Sequence, residues 1–166
     1  RSIAAEILYD APDPFARKVI LNRGERHGLE PGLAVVDAHG MIGQITRVYP
    51  IQSEVTLLSH REQAVPVKVL RNDLRGVLFG NGSGPLELRF IMPGEDVQVG
   101  DVLVPSGLDG LFLPGLPVAR IVAVNTDPDG HQTLLSEPIG RIERASQVLV
   151  LGRAEPAPPR PNPADA

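Results

Sequence analysis

Several residue types are scarce or absent in this chain of 166 residues, and each absence excludes a class of site or protein. The chain has no cysteine, which excludes a disulfide scaffold, a thiolate metal site and a cysteine nucleophile. Acidic residues outnumber basic ones by 20 to 16. This balance argues against nucleic-acid binding, because neutralising phosphates needs a surplus of lysine and arginine. No apolar run approaches the roughly 18 residues of a membrane-spanning helix.

Uninterrupted segments long enough for a helix are also rare. Glycine and proline number 17 each, and in a helix interior they cost about 1 and 3 kcal/mol relative to alanine. The longest stretch free of both is Ile51–Val65, and its segment Glu54–Leu58 is rich in strand-forming residues. Long helices are therefore excluded.

What remains is a series of short apolar runs that end at turn residues, a pattern typical of β-barrels and sandwiches. Leu86–Phe90, for example, alternates cleanly between apolar and charged residues over its whole length. The predicted strands are Lys18–Leu21, Leu33–Val36, Met41–Val48, Val55–Leu58, Val65–Leu70, Val77–Phe79, Leu86–Phe90, Val102–Val104, Val118–Val124, Thr133–Leu135 and Val148–Leu151. We therefore predict an all-β protein with two small six- to seven-stranded β-barrel domains and little helix.

The predicted boundary between the two domains is the glycine-rich stretch Gly80–Pro85, which divides the chain into halves of similar size. The first barrel would occupy residues 13–80 and the second residues 85–151, although the last strand could return to the first barrel. Residues 1–12 are expected to be the remnant of an upstream helix or linker. The proline-rich tail, residues 152–166, is expected to be disordered.

A faint internal repeat supports the division into two similar domains. The stretch Glu30–Ile45 consists of an apolar run, a glycine turn and a second apolar run. The stretch Gln98–Ile121 has the same order of features. The similarity is weak, but it fits two small barrels built in the same way.

One pattern imitates a calcium site. Asn125-x-Asp127-x-Asp129-Gly130 has the opening residues of an EF-hand loop, but its twelfth position is Ser136 instead of the bidentate glutamate. The flanking runs are predicted strands, where an EF-hand needs helices. Asp-Gly between two strands is instead typical of a hairpin turn.

A second pattern imitates a serine protease. Ser83 lies in Gly82–Pro85, which is similar to the nucleophile region of chymotrypsin-like proteases, themselves double β-barrels. A serine nucleophile needs a histidine base that is oriented by a carboxylate. His27 and His39 lie in glycine turns and His60 lies beside a capping position, so none has a distinctive context. Turn formation explains the whole loop.

Other classes of site have little support. The four histidines lack the clustering that zinc needs, and six aromatic residues with no tryptophan offer few faces for carbohydrate. No phosphate- or dinucleotide-binding fingerprint is present. We predict no catalytic residues, no cofactor and no metal, with a chymotrypsin-like hydrolase or a metal- or carbohydrate-binding β-module as the alternatives.

One apolar loop is not explained by turn chemistry alone. Leu111, Phe112 and Leu113 lie between the glycines and prolines of Pro105–Pro117, which cannot form a regular strand. These side chains either plug one end of a barrel or form a contact surface, since exposed apolar patches commonly mark partners. They are our candidate protein-interaction residues.

The same region carries a family resemblance. From about residue 9 to residue 151 the chain resembles the rod shape-determining protein MreC family, most specifically at Val99–Ile121 with its Ser-Gly-Leu-Asp-Gly sequence. The supporting stretches are Asp13–Gly24, Gly32–Gly43, Val65–Val69 and Arg75–Gly82.

The resemblance implies the periplasmic part of a single-pass bacterial inner-membrane protein, in which two β-barrels follow a coiled coil and an upstream membrane anchor. It implies a non-enzymatic scaffold that organises peptidoglycan synthesis and cell shape during elongation. The implied partners are the elongation-specific penicillin-binding transpeptidase, MreD, and MreB through a cytoplasmic part outside this sequence. Self-association is implied as well. The resemblance does not assign any partner to particular residues.

Overall fold

The computed structural model of the chain describes residues 2–13, 15–82, 84–106, 115–141 and 146–152. Within these residues it forms twelve β-strands and one short 3-10 helix, Glu25–His27. The strands are β1 (Ser2–Asp10), β2 (Lys18–Leu21), β3 (Ala34–Val36), β4 (Met41–Val48), β5 (Ser53–Leu57), β6 (Ala64–Val69), β7 (Arg75–Phe79), β8 (Leu86–Arg89), β9 (Val102–Pro105), β10 (Ala119–Thr126), β11 (Gln132–Pro138) and β12 (Gln147–Leu151). The predicted all-β class is confirmed. The tail predicted to be disordered lies outside the described residues, apart from Gly152.

The strands close into two six-stranded barrels, as predicted from the short apolar runs. The first barrel has the strand order β1-β12-β3-β4-β5-β2, and the second has the order β10-β11-β8-β7-β6-β9. All neighbouring strands within each barrel are antiparallel. Closure leaves neither sheet with a free edge that another strand could extend.

The two barrels share one pattern of strand pairing. Strands β3, β4 and β5 of the first correspond to β9, β10 and β11 of the second, and β12, β1 and β2 correspond to β6, β7 and β8. Gly32 donates its N–H to the carbonyl of Ile45 at 2.7 Å, and Gly100 makes the equivalent bond to Ile121 at 2.8 Å. A register shift follows each of these isoleucines. The faint sequence repeat therefore marks a structural repeat, in which the first barrel is circularly permuted.

The first barrel needs both ends of the chain. Strand β12 lies between β1 and β3, so the last strand does return to the first barrel. Ser2–Asp10, expected to be part of an upstream helix or linker, is instead strand β1 and pairs with β12 and β2. Its residue Ala5 is buried in the first core. The second barrel, by contrast, is built from consecutive strands.

The predicted domain boundary at Gly80–Pro85 is wrong. Strands β7 and β8 on either side of it are neighbours in the second barrel, so this loop is a hairpin connection. Gly82 and Gly84 have φ angles of +83° and +80°, a conformation that glycine adopts without strain. The chain passes between barrels at residues 58–63 and returns at 139–146. Strands β6 and β7 thus belong to the second barrel.

Each barrel has an aliphatic core. The largest fully buried side chains of the first are Leu21, Ile42, Ile45, Val35 and Val55, and those of the second include Leu78, Leu86, Leu103, Ile121 and Val65. Among the described residues no aromatic side chain is buried, because every one of them is half-buried or exposed. The aromatic residues therefore contribute to the surface more than to the cores.

A short, close-packed joint connects the two barrels. The N–H of Met41 donates to the carbonyl of Pro117 at 2.9 Å, and the buried Met41 packs into the second core. The Asp37 carboxylate accepts the N–H of Arg141 at 2.6 Å and that of His39 at 2.7 Å. Burial would raise the pKa of Asp37, but backbone N–H groups outweigh it and hold that pKa below its ordinary value.

Candidate protein-interaction surface

A mostly apolar sheet face lies on the outside of the second barrel, across β6, β7, β8 and β11. We name it the β8 face, and its outward-pointing residues form three rows that follow the strand register, the third of which, Lys68 and Arg75, is basic. The first row is Ala64, Phe79, Glu87 and Leu135, and the second is Pro66, Val77 and Arg89. The outer face of a barrel is ordinarily polar, since it meets water. An apolar face at this place is typical of a binding surface.

An aromatic pair lies at this face. The ring centroids of Phe79 and Phe90 are 6.1 Å apart and the rings are inclined at 63°, an edge-to-face arrangement. The Arg89 guanidinium lies 4.5 Å from the centre of the Phe79 ring, which is the geometry of a cation–π contact. Phe90 itself is 74% exposed. The pair therefore presents a large aromatic surface to solvent.

The backbone of Phe90 explains why sequence reasoning missed it. The alternation of Leu86–Phe90 predicts that Phe90 lies on the core side, together with Leu86 and Leu88. Strand β8 ends one residue earlier, at Arg89, and Phe90 has a φ of +68°. That conformation is rare for a bulky residue and costs of order 1–3 kcal/mol. It breaks the alternation and leaves the ring beside Phe79, and the residue pattern gives no sign of it.

A groove follows Phe90 along the loop after β8. Its lining includes Ile91 and Pro93 from this loop and His131 from the turn before β11. Met92, in the same loop, is 66% exposed. We name the groove lined by Phe90, Ile91, Pro93 and His131 the Phe90 groove, and Met92 lies beside it in the same loop. An exposed phenylalanine and methionine beside a concave surface are suited to contact with an apolar side chain of a partner.

The charges of the β8 face pair with each other. Nε of Arg89 lies 3.1 Å from Oε1 of Glu87, and the two side chains are about half-exposed. An exposed ion pair of this kind contributes only about 0–1 kcal/mol to stability. Either group can therefore exchange its partner at small cost when another surface approaches.

Comparison with known proteins agrees with this architecture. The family model "Rod shape-determining protein MreC, barrel core" matches residues 7–152. The chain belongs to the MreC family. This confirms the resemblance inferred from the sequence.

Curated MreC relatives support the assignment. The cell shape-determining protein MreC of Escherichia coli K12 is 32% identical over 157 residues, which cover 93% of this chain and 43% of that protein. MreC of Haemophilus influenzae is 37% identical over 149 residues, which cover 89% of this chain and 42% of that protein. The chain therefore spans less than half the length of these relatives.

Solved MreC structures share the two-barrel fold. The crystal structure of MreC from Pseudomonas aeruginosa has a TM-score of 0.83 and 33% identity, and the match covers 91% of this chain and 99% of that one. A complex between the penicillin-binding protein PBP2 and MreC from Helicobacter pylori has a TM-score of 0.69 and 20% identity, with coverage of 90% and 96%. This second likeness shows the fold alone. No helix within the described residues has the length and apolar character needed to cross a membrane.

The interaction residues predicted for this MreC-family chain, Leu111, Phe112 and Leu113, lie outside the described residues, as does Ser83. Their prediction therefore remains a hypothesis from the sequence.

The three histidines considered as a catalytic base lie in three different connections between strands, His27 in the short 3-10 helix. Nδ1 of His27 accepts the N–H of Gly24 at 3.0 Å, and Nδ1 of His60 accepts the N–H of Arg17 at 3.0 Å. Burial first, and then the charge of Lys18, lower the pKa of His60, which favours the neutral form that this bond requires. Both rings thus have a structural role in loop geometry.

The calcium-like run forms the tip of the β10–β11 hairpin, as the Asp-Gly signal predicts. Asp127 donates its N–H to the carbonyl of His131 at 2.7 Å, and Gly130 donates to the carbonyl of Asp127 at 2.9 Å. Gly130 has a φ of +86°. In the part of the chain that the structure describes, no group of three or more His, Asp or Glu side chains is placed to hold a metal ion.

Proposed function

We propose that this MreC-family chain is a non-enzymatic scaffold that takes part in peptidoglycan synthesis and cell-shape determination by binding other proteins. The main observation that supports the proposal is the apolar and aromatic surface on the outside of the second barrel. Aromatic and arginine side chains are enriched at protein interfaces and among the residues that contribute most to binding. Phe79, Arg89 and Phe90 bring both types together on a closed, rigid barrel.

The proposed partner at the Phe90 groove is the elongation-specific penicillin-binding transpeptidase. A distant relative with the same fold, MreC of Helicobacter pylori, has been solved in a complex with PBP2. Family membership supports the transfer of that partner class to this chain. The exposed Phe90 and Met92 supply the apolar anchors that such an interface needs.

The loop with Leu111, Phe112 and Leu113 is proposed as a second contact. The structural repeat supports this, because β3 and β4 of the first barrel are joined by Asp37–Gly40 alone, whereas the equivalent β9 and β10 are joined by residues 106–118. Closing a barrel of this design does not require the longer connection. The greater length of this connection supports a role beyond closing the barrel.

The cellular setting is proposed from the family. The chain would lie in the periplasm, held by an inner-membrane anchor outside this sequence, and would associate with MreD and with other copies of itself. Contact with MreB would be made by a cytoplasmic part that is also outside this sequence. These statements rest on the family resemblance and not on the geometry of the barrels.

The proposal is tested by measuring the binding of the chain to the immobilised periplasmic region of the transpeptidase. Phe90→Ala is expected to raise the Kd about tenfold, because an anchor side chain contributes roughly 1–3 kcal/mol. Phe15→Ala is the matched control, since Phe15 is 86% exposed but lies on the first barrel. Equal effects of the two substitutions, or no binding by the unmodified chain, would contradict the proposal.

A further inference from the structure

A histidine ring connects the two barrels at the passage 58–63. Nδ1 of His60 accepts the N–H of Arg17 at 3.0 Å, and we name this hydrogen bond the His60 contact. We propose that the His60 contact is a pH-sensitive switch, which restrains the two barrels against each other while the ring is neutral and is lost when the ring is protonated. The inference goes beyond the proposed function, because it concerns the relative motion of the barrels and not the binding of a partner.

The first argument is that the passage 58–63 forms one unit with the second barrel. The N–H of Gly82 donates to the carbonyl of Ser59 at 2.7 Å, and the N–H of Gly80 donates to the carbonyl of Gln63 at 3.1 Å. Gly80 also packs directly on the passage, since a β-carbon at this position would clash with the carbonyl oxygen of His60. The backbone of His60 is therefore held by the second barrel.

The second argument is that Arg17 belongs to the first barrel. It lies directly before β2, and its carbonyl accepts the N–H of Leu57, the last residue of β5, at 2.8 Å. Nε of Arg17 adds a longer contact to the passage, at 3.4 Å from Oγ of Ser59. The His60 contact thus joins a backbone group of the first barrel to a side chain carried by the second.

The third argument is that this hydrogen bond depends on the charge of the ring. A ring nitrogen of neutral histidine accepts a hydrogen bond only when it carries no proton, whereas both nitrogens of the charged ring are donors. A proton on Nδ1 of His60 would therefore face the N–H of Arg17, donor against donor, and the bond would be lost. The other contacts of the joint, such as that from Met41 to Pro117, do not involve this ring. The expected change is therefore a wider range of barrel orientations and not a separation of the barrels.

The groups around His60 set the pH range of the switch. Burial lowers the pKa of His60 most, and the positive charge of Lys18 on β2 lowers it further. The carboxylates that act in the opposite direction are Glu62 in the passage, Asp13 in the loop before β2 and Glu54 on β5. Arg17 and Arg61 stay positively charged throughout this range. Among its described residues, the β7–β8 connection that packs on the passage carries no titratable side chain.

The direction of the pH dependence follows from these groups. The pKa of His60 in the folded chain lies below its ordinary value of 6.5, so the fold favours the neutral ring. The His60 contact is therefore complete at pH values above about 6.5 and is lost as the pH falls through the pKa of the folded state. The Asp37 carboxylate, which links the barrels through the N–H of Arg141, has a pKa below its ordinary value. It stays ionised in this range and keeps the barrels attached.

The test measures the distance between the barrels at two pH values. Because the chain has no cysteine, Arg47→Cys on β4 and Asp129→Cys in the β10–β11 turn supply the only attachment sites for a pair of spin labels. Both positions are exposed. Pulsed electron paramagnetic resonance gives the distribution of distances between the labels. We expect a narrow distribution at about pH 8 and a broader one at about pH 5, on either side of the ordinary histidine pKa.

Hydrogen exchange of the Arg17 amide reports the same event locally. This N–H loses its acceptor when His60 is protonated. Its protection, corrected for the intrinsic effect of pH on exchange, is expected to fall about three- to tenfold between the two pH values, as for the loss of one hydrogen bond.

Two substitutions of His60 separate the switch from general effects of acid. The side-chain oxygen of asparagine accepts a hydrogen bond but does not titrate, so His60→Asn is expected to keep the distribution narrow at both pH values. His60→Ala has no acceptor and is expected to broaden the distribution at both. The matched control is His27→Ala, because Nδ1 of His27 also accepts a backbone N–H, that of Gly24 at 3.0 Å, but within the first barrel. This variant is expected to respond to pH as the unmodified chain does.

Four results would overturn the inference, and none of them bears on the proposed function, which is tested by transpeptidase binding. The distribution could have the same width at both pH values in the unmodified chain. It could broaden in acid in His60→Asn as much as in the unmodified chain, or it could stay narrow at both pH values in His60→Ala. Finally, circular dichroism could show that the barrels unfold in the same pH range, whereas a switch between two orientations requires folded barrels.

Discussion

Replacing Val150 by alanine tests the closure of the first barrel by the last strand of the chain. Val150 is fully buried in the first core, where it lies between Ile3 of β1 and Val35 of β3. Alanine removes two carbon atoms, each worth about 0.8 kcal/mol of transfer free energy. The cavity that remains adds to this loss. We expect the free energy of unfolding of the first barrel to fall by about 2–3 kcal/mol.

The structural repeat supplies a matched control in the second barrel. Val69 of β6 occupies the position equivalent to Val150, is also fully buried and pairs with Leu103 of β9. Hydrogen exchange followed by mass spectrometry separates the two barrels, because local opening raises exchange mainly in the unit that opens. Val150→Ala should raise exchange in β1–β5 and β12, and Val69→Ala should raise it in β6–β11.

Either of two results would contradict this strand order. Val150→Ala could raise exchange mainly in β6–β11, which would place β12 in the second barrel. Alternatively, it could lower the free energy of unfolding by less than about 0.5 kcal/mol, which is the range of surface substitutions. In that case β12 would contribute little to the first core.

Three further predictions concern the joint, an ion pair and the apolar loop. A methyl group at Gly140 would lie 2.8 Å from the side chain of Ile42, so Gly140→Ala should lower the denaturation midpoint through a loss of about 1–3 kcal/mol. Hydrogen bonds from Arg71, opposed by burial, hold the pKa of Asp101 in the folded chain below its ordinary value. The ionised carboxylate therefore stabilises the fold at pH values above the pKa of the unfolded state. This stabilisation is lost as the pH falls through the pKa of the folded state. Asp101→Asn should therefore be less stable at neutral pH, with the difference from the unmodified chain shrinking in acid, as measured by denaturant unfolding at several pH values. Phe112→Ala should weaken partner binding by about 1–3 kcal/mol and leave the denaturation midpoint nearly unchanged; a large drop in midpoint with binding preserved would show that the loop is a barrel plug.

The fold class could be predicted from the sequence because its signals are local. Glycine and proline interrupt every segment that a long helix would need, and apolar runs such as Met41–Val48 coincide with real strands. The repeat at Glu30–Ile45 and Gln98–Ile121 was also visible, since both copies need the same turn glycine and the same buried isoleucine.

The domain boundary and the place of the last strand could not be predicted, because they depend on long-range pairing. Gly80–Pro85 has the composition of a linker, but a hairpin turn needs the same residues. The actual passage at 58–63 contains neither glycine nor proline. Val148–Leu151 has a pattern that fits either barrel, and only its pairing with β1 and β3 assigns it to the first.

The candidate interaction surface was missed for a related reason. Periodicity assigns a face to each residue only while the backbone stays extended, and the positive φ of Phe90 ends that regularity. Phe79 was recognised as part of a strand, but its outward direction follows from the burial of its neighbour Leu78.

The most direct test of the account is site-specific photo-crosslinking in living cells that carry the full-length protein. A photoreactive phenylalanine analogue replaces Phe90 on the second barrel or, as the control, Phe15 on the first. If the second barrel binds the elongation-specific transpeptidase through the Phe90 groove, the analogue at position 90 captures that enzyme and the analogue at position 15 does not. Capture of the transpeptidase from position 15 alone, or from neither position, would contradict the account.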